Sequence, residues 1–348
     1  MTESSRPTEF ADRLLAHVRE RAGDAVSYRS PPERVHGGYD TLIYGFELAG
    51  ASGGWQGPLI VRVFRDANGA RRARFEGVVQ SLVAAQGFPC PAPIEVESDV
   101  SVLGGAFIIM PRMAGKPLLS AGPLFVVRRL PRVLAETHAG LHTLDPEKVR
   151  AGLVEAGFED MVNGKHFSLP RLRGEIEAFS LGEFEPALSW LEKNQIVSDQ
   201  LAVCHLDFHP LNVLFDGDRV TGVIDWASAS VGDPAADVGV SRVIMTMGPL
   251  DAGPLQPAVD LFRRWLARRY LVAYQSKRPL DPTRMRYFEA MRCFAAMVEV
   301  AVRRKSGVGA ERGQYAWDHP RQVRAMTSHF RRVSGVALPD PRLVPSEP

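Results

Sequence analysis

The stretch His205-Leu206-Asp207-Phe208-His209-Pro210-Leu211-Asn212, followed further on by Ile224-Asp225-Trp226, brings carboxylate, amide and imidazole groups together at short, ordered spacing. The pattern is H-x-D-x-x-x-x-N and then an apolar-Asp. Phosphoryl transfer asks for a group that orients the acceptor hydroxyl and for oxygen ligands to the magnesium on the nucleotide phosphates. Asp207 has the carboxylate for the first task. Asn212 and Asp225 carry the hard oxygens that suit the second. Two other readings fit the loop taken alone. Asp and Asn in loops commonly serve turns. His205, Asp207 and His209 also alternate, so on a strand they would share one face and could bind a transition metal, as in a metal-dependent hydrolase. The continuation favours the first reading. Val213-Leu214-Phe215 reads as a short apolar strand, Asp216-Gly217-Asp218 as a hairpin turn, and Val220 to Ile224 as a return strand delivering Asp225.

With Gly232-Asp233-Pro234-Ala235-Ala236-Asp237 added, the segment resembles the catalytic core of the aminoglycoside phosphotransferase and choline kinase superfamily. Leu206 and Leu211 depart from it, standing where many members have Gly. The resemblance implies that Asp207 is catalytic, that Asn212 and Asp225 hold magnesium, and that His205, Asp233 and Asp237 support the loop. It implies an ATP- or GTP-dependent kinase for a small hydroxylated acceptor. A catalytically silent nucleotide- or ligand-binding protein on the same fold is the alternative.

The nucleotide half is expected in the first third of the chain. Gly37-Gly38 suits a phosphate-approaching turn, because glycine lets backbone amides come close. Arg62 lies among Leu, Ile and Val, where a charge is costly without an anionic partner, and Glu76 on the next helix is that partner. By resemblance, Arg62 contacts the phosphates, and the backbone around Met110 and Met113 forms the hinge that bonds the base. Leu141-His142 with Pro146 resembles the family's L-H-x-x-x-P helix end, with His142 read as structural.

These residues need elements to position them. Apolar spacing predicts helices over 8–21, 71–86, 124–144, 171–193, 259–274, 284–304 and 321–334. A strand-turn-strand is expected over 34–48, with the turn at 35–40 and the return strand over 42–46, then strands over 59–64, 94–97 and 106–110. A β-rich first third before a helical remainder is an α+β plan, and it resembles the two-lobed protein-kinase-like fold with a mostly helical C-lobe. The boundaries implied are an N-terminal helix over 1–30, a nucleotide-binding N-lobe over 31–112, a C-lobe with the acceptor site over 113–340, and a tail over 341–348.

Composition agrees with such a body. Hydrophobic residues make up 45% of 348, enough for a sizeable core. No apolar run approaches the ~20 residues of a membrane span, and no secretory signal is evident, so a cytoplasmic protein is expected. The three cysteines, Cys90, Cys204 and Cys293, are too sparse for a disulfide framework. Net charge is +2, yet residues 260–332 hold 17 Lys and Arg against 6 Asp and Glu. Solvated helix faces or an anion-attracting surface would both explain that excess. It argues against a polycationic acceptor. Nucleic acid is not expected as a partner.

Overall fold

The computed structural model describes residues 6–35, 41–162, 168–198, 200–307 and 317–343. It has an α+β, protein-kinase-like architecture, and the chain divides into two compact units. The first holds residues 1–116, 151–158 and 214–227; the second holds 117–150, 159–213 and 228–348.

The first unit is built on an antiparallel five-stranded sheet. Its strands are β1 (Ser27–Arg34), β2 (Thr41–Ala49), β3 (Pro58–Phe64), β4 (Glu95–Glu97) and β5 (Ala106–Pro111), in the order β1-β2-β3-β5-β4. Side chains alternate across a strand. Leu59, Val61 and Val63 therefore share one face of β3 with Leu14 and Val18 of helix α1 (Arg6–Ala22). Ile60, Arg62 and Phe64 take the other face, which packs with helix α2 (Gly69–Ala84). Gly77 of α2 sits so close to β4 that a Cβ there would meet Val96 Cγ2 at 2.6 Å. A short helix α3 (Val100–Leu103) joins β4 to β5.

β1 begins well before the expected turn. Its sequence, Ser27 to Arg34, is polar and contains Pro31 and Pro32. Such a strand is tolerated at a sheet edge, where a missing N–H leaves no neighbour unpaired. The turn glycines Gly37 and Gly38 lie outside the described residues.

A hairpin of β8 (Val213–Asp216) and β9 (Arg219–Val223) follows β7 (Ala202–Cys204), beside the two-residue β6 (Lys116–Pro117). From Leu214 the hairpin belongs to the first unit, with Gly217 in its turn at φ 60°. It is seated there by the Val223 amide on the Pro89 carbonyl (2.8 Å) and by Trp226 against Phe88.

The second unit is helical. Helices α4 (Pro123–Arg128) and α5 (Leu130–Leu141) replace the single helix expected over 124–144. The break falls at Arg129, and Pro131 opens α5, because a proline fits a helix's first turn but not its interior. The helix expected over 171–193 is likewise two, α7 (Leu169–Ala178) and α8 (Glu185–Lys193), parted by Ser180 at φ 49° and restarted with Pro186. α6 (Pro146–Glu155) lies between these pairs in sequence. β7 pairs antiparallel with β10 (Ser230–Gly232). Helices α9 (Pro234–Met247), α10 (Gln256–Gln275), α11 (Pro282–Ser306) and α12 (Pro320–Ser334) complete the unit, around a core that includes Tyr270, Tyr274, Phe294 and Phe330. All three cysteines are buried and free. No helix among the described residues is long and apolar enough to cross a membrane.

Candidate active site

In the second unit, β7 ends at Cys204 and the chain turns sharply. Leu206 has φ 58°, the left-handed region that costs a residue with a Cβ about 1–2 kcal/mol. This is the position where the resembling family often carries Gly, and here the backbone keeps that shape with Leu. What holds it is Asp237, in the first turn of α9 and fully buried. Its Oδ2 accepts the backbone N–H of His205 at 2.6 Å, and its Oδ1 accepts that of Leu206 at 2.8 Å. His142 Nε2 lies 3.2 Å and His138 Nε2 3.0 Å from the same Oδ2. Burial alone would raise the Asp237 carboxyl. The two histidines oppose that, and the group stays well below the usual carboxylate range.

The turn projects Asp207 partly into solvent. Asp207 N–H points to His205 Nδ1 (3.3 Å), so the buried His205 ring braces the loop from inside. Asn212 Nδ2 donates to Asp207 Oδ2 at 3.1 Å and to its carbonyl at 3.0 Å. Asn212 thereby fixes the carboxylate, and the other end of its amide is an oxygen. His209 Nε2 stands 3.7 Å from Asp207 Oδ1. The histidines of the alternating trio lie in loop, beyond the end of β7, so they share no strand face. Among the described residues, the His and carboxylate groups close enough together to hold a metal are His138-His142-Asp237 and His17-Glu95-Glu97, and neither includes Asp207.

Asp233 caps α9, accepting the Ala235 N–H at 2.8 Å, and its other oxygen receives Arg284 at 2.5 Å. Both carboxylate oxygens are thus committed to structure. Glu289, an acidic candidate on the basic helices, is buried between Arg242 and His329, whose Nε2 is 3.1 Å away. Glu299 pairs with Arg303 on its own helix at 3.3 Å.

In the first unit, strand alternation aims Arg62 at α2, where its Nη1 meets Glu76 Oε2 at 2.7 Å. Arg62 Nε donates to Thr41 Oγ1 at 3.1 Å, and Nη2 lies 3.2 Å from Asp225 Oδ1. Asp225 follows β9 with φ 68°, another left-handed non-glycine residue of the kind that clusters at functional sites. Burial pushes the Glu76 carboxyl up to about 7, Arg62 opposing and Asp225 adding to the rise. Met110 is buried on β5 opposite Ile60, and Met113 packs on Gly222 of β9. Between them the Arg112 N–H is taken by the Pro58 carbonyl at 2.9 Å.

The sequence points Arg62 to Glu76, but nothing in it couples Arg62 to Asp225, 163 residues away. Nor do His138, Tyr270 and Tyr274 stand out as site residues in it. Their signal was available in matched spacing: His138 with His142 and Tyr270 with Tyr274 are both i,i+4 pairs.

The phosphotransferase enzyme family matches residues 32–282 of this chain. The chain is 27% identical over 206 residues to the homoserine kinase of Methylocella silvestris, an alignment that takes in 56% of this chain and 60% of that enzyme. The chain therefore spans less than two thirds of that relative's length. Among solved structures, one from Ralstonia eutropha JMP134, provisionally assigned as an aminoglycoside phosphotransferase, superposes with a TM-score of 0.64 at 19% identity, covering 94% of this chain and 99% of that one. A thermostable mutant of aminoglycoside phosphotransferase APH(4)-Ia, solved with AMP-PNP and hygromycin B, gives 0.57 at 17% identity, covering 93% and 99%.

Proposed function

Because this chain belongs to the phosphotransferase enzyme family, we propose that it is a small-molecule kinase, moving the γ-phosphate of ATP or GTP to a hydroxyl of a small acceptor. The observation that carries this reading is the Asp207 carboxylate, fixed by Asn212 on a left-handed turn that Asp237 clamps. Asp207 orients the acceptor hydroxyl and takes its proton as the phosphorus–oxygen bond forms. Asn212 and Asp225 offer oxygen donors only, a set that fits a hard cation, and they would hold magnesium, which neutralises charge on the phosphates when bound. Arg62 contacts the phosphates and Glu76 steadies it. Gly37 and Gly38 cover the phosphates, and the backbone near Met110 and Met113 receives the base. In this reading residues 31–112 form the nucleotide lobe, 113–340 carry the acceptor site, and the enzyme acts in the cytoplasm.

The acceptor class follows from charge. Glu289 is neutralised by Arg242 and hydrogen-bonded to His329, and Glu299 is neutralised by Arg303. These carboxylates are therefore not left to gather a polycation, and an amino alcohol of low net charge, such as the substrate named for the homoserine kinase relative, is the first candidate. The test is a nucleotide-consumption screen across amino alcohols, sugars and antibiotics, with Asp207→Asn as control. The expected result is acceptor-dependent consumption that this substitution abolishes while magnesium–ADP still binds. Consumption that survives Asp207→Asn refutes the role.

A further inference from the structure

We infer that His138 is a positioning residue for the catalytic loop, acting through Asp237 on the turn that presents Asp207. The inference rests on the reading of Asp207 given above. α5 sets His138 and His142 one helical turn apart, and α10 does the same for Tyr270 and Tyr274. The two ladders meet rung to rung, with Tyr270 Oη 2.5 Å from His138 Nδ1 and Tyr274 Oη 2.6 Å from His142 Nδ1. A phenol O–H donating to Nδ1 leaves the ring proton on Nε2. That of His142 is hydrogen-bonded to Asp237, and that of His138 lies 3.0 Å from the same carboxylate, off the line of a hydrogen bond. Burial lowers the His142 pKa to about 4, which agrees with a neutral ring there.

Both rings therefore crowd one carboxylate oxygen, Asp237 Oδ2, His142 by a hydrogen bond and His138 by a 3.0 Å electrostatic contact, and that oxygen also accepts the His205 amide. With that oxygen fixed, the other meets the Leu206 amide, and the left-handed turn is held. His138 reaches the loop by a second route as well. Its ring stacks on Phe208, next to Asp207, at 4.0 Å between centroids and 19° between planes. The ring of His142 packs on those of His138 and Tyr274. A histidine that only filled the core would owe its effect to volume. One that positions the loop owes it to the Nε2–H and to the tyrosine that fixes the tautomer.

The experiment compares the full chain with His138→Leu, His138→Gln and Tyr270→Phe. Gln keeps an N–H donor near the place of Nε2, and Leu keeps only bulk. Amide hydrogen exchange is read on the segment 204–212, alongside steady-state turnover of magnesium–ATP. In His138→Leu the His205 and Leu206 amides should exchange roughly fivefold to tenfold faster, a loss the size of about one hydrogen bond, while amides of β3 keep their protection. Turnover should fall roughly 100-fold, as for a displaced catalytic group, with the KM for ATP within about twofold. His138→Gln should recover most of both, and Tyr270→Phe should quicken exchange in the loop. Unchanged loop exchange in His138→Leu and Tyr270→Phe overturns the inference, as does a Gln variant no better than Leu. Turnover is measured with whichever acceptor of the screen supports consumption; a wild type that consumes no ATP with any of them refutes the kinase reading instead, and hydrogen exchange then decides the positioning role alone.

Discussion

Asp225 meets a cation in this structure already: Arg62 Nη2, at 3.2 Å. That guanidinium also binds Glu76, so one arginine ties a strand, a helix and the residue after a distant hairpin. Asp225→Ala is expected to remove magnesium-dependent nucleotide binding, because a methyl group offers a metal nothing. Calorimetry with and without magnesium checks it, and equal affinity in wild type and variant would sink the assignment. Glu76 adds a pH dependence. Its folded pKa, about 7, lies above its ordinary 4.5. The folded form thus keeps a proton that the unfolded chain has lost. The stability from this group is full below about pH 4.5 and is lost as pH rises through 7. The ion pair with Arg62 runs the other way, since it needs the carboxylate. Nucleotide affinity should therefore weaken from pH 8 to pH 6 in the wild type and stay nearly flat in Glu76→Gln. The Arg62–Glu76 pair was legible because a charged residue inside an apolar strand demands a partner. The Asp225 contact was not, because nothing local couples residues so far apart in the chain.

At the scale of elements, the long amphipathic patterns reported helices correctly but not their breaks. Pro131 and Pro186 mark the restarts of α5 and α8, and periodicity alone runs straight over them. The sequence points to a first strand before the turn from Arg34, and most of β1, Ser27 to Arg34, is hidden in it for a different reason. An edge strand with two prolines has neither the alternation nor the residue types that reveal a strand. Gly115, past the end of β5, shows what one element asks of another. It has φ 89°, and a Cβ there would lie 2.4 Å from the Phe215 carbonyl oxygen of the hairpin. Gly115→Ala should destabilise the protein by about 2–4 kcal/mol, adding an overpacking cost to backbone strain. Gly87 has φ 81° and open space, so Gly87→Ala should cost only about 1–2 kcal/mol. Urea unfolding of the two variants separates the contributions, and equal losses would discount the contact with Phe215.

Over the whole molecule the charge is lopsided, with the basic excess over residues 260–332 set against an acidic remainder. The structure gives several of those arginines fixed work. Arg263 binds the carbonyls of Ile244, Met245 and Gly248 near the end of α9, Arg284 holds Asp233, and Arg278 holds the His142 carbonyl at 2.6 Å. Part of the excess is therefore internal bracing, which counting charges along a sequence cannot reveal, while other arginines such as Arg264, Arg268, Arg269 and Arg286 are exposed. Under the proposed reading a polycationic acceptor stays disfavoured, because Glu289 and Glu299 have partners too. Kanamycin- and gentamicin-like polycations should show kcat/KM below about 10⁴ M⁻¹s⁻¹ at low salt. Steady-state kinetics decide it, and a higher value would show that a carboxylate pocket had been overlooked.

The three cysteines turn burial into a built-in reporter. Cys90 belongs to the first unit and Cys204 and Cys293 to the second. Burial raises each thiol's pKa, so the reactive thiolate is scarce while the fold is closed. An alkylating reagent should label each site only as fast as its surroundings open, which makes labelling a clock on each unit separately. Added magnesium–nucleotide should slow the clock at Cys204, two residues before the clamped turn, more than at Cys293. Mass spectrometry of timed labelling, resolved by peptide, reads both clocks in one sample without a mutation or a known acceptor.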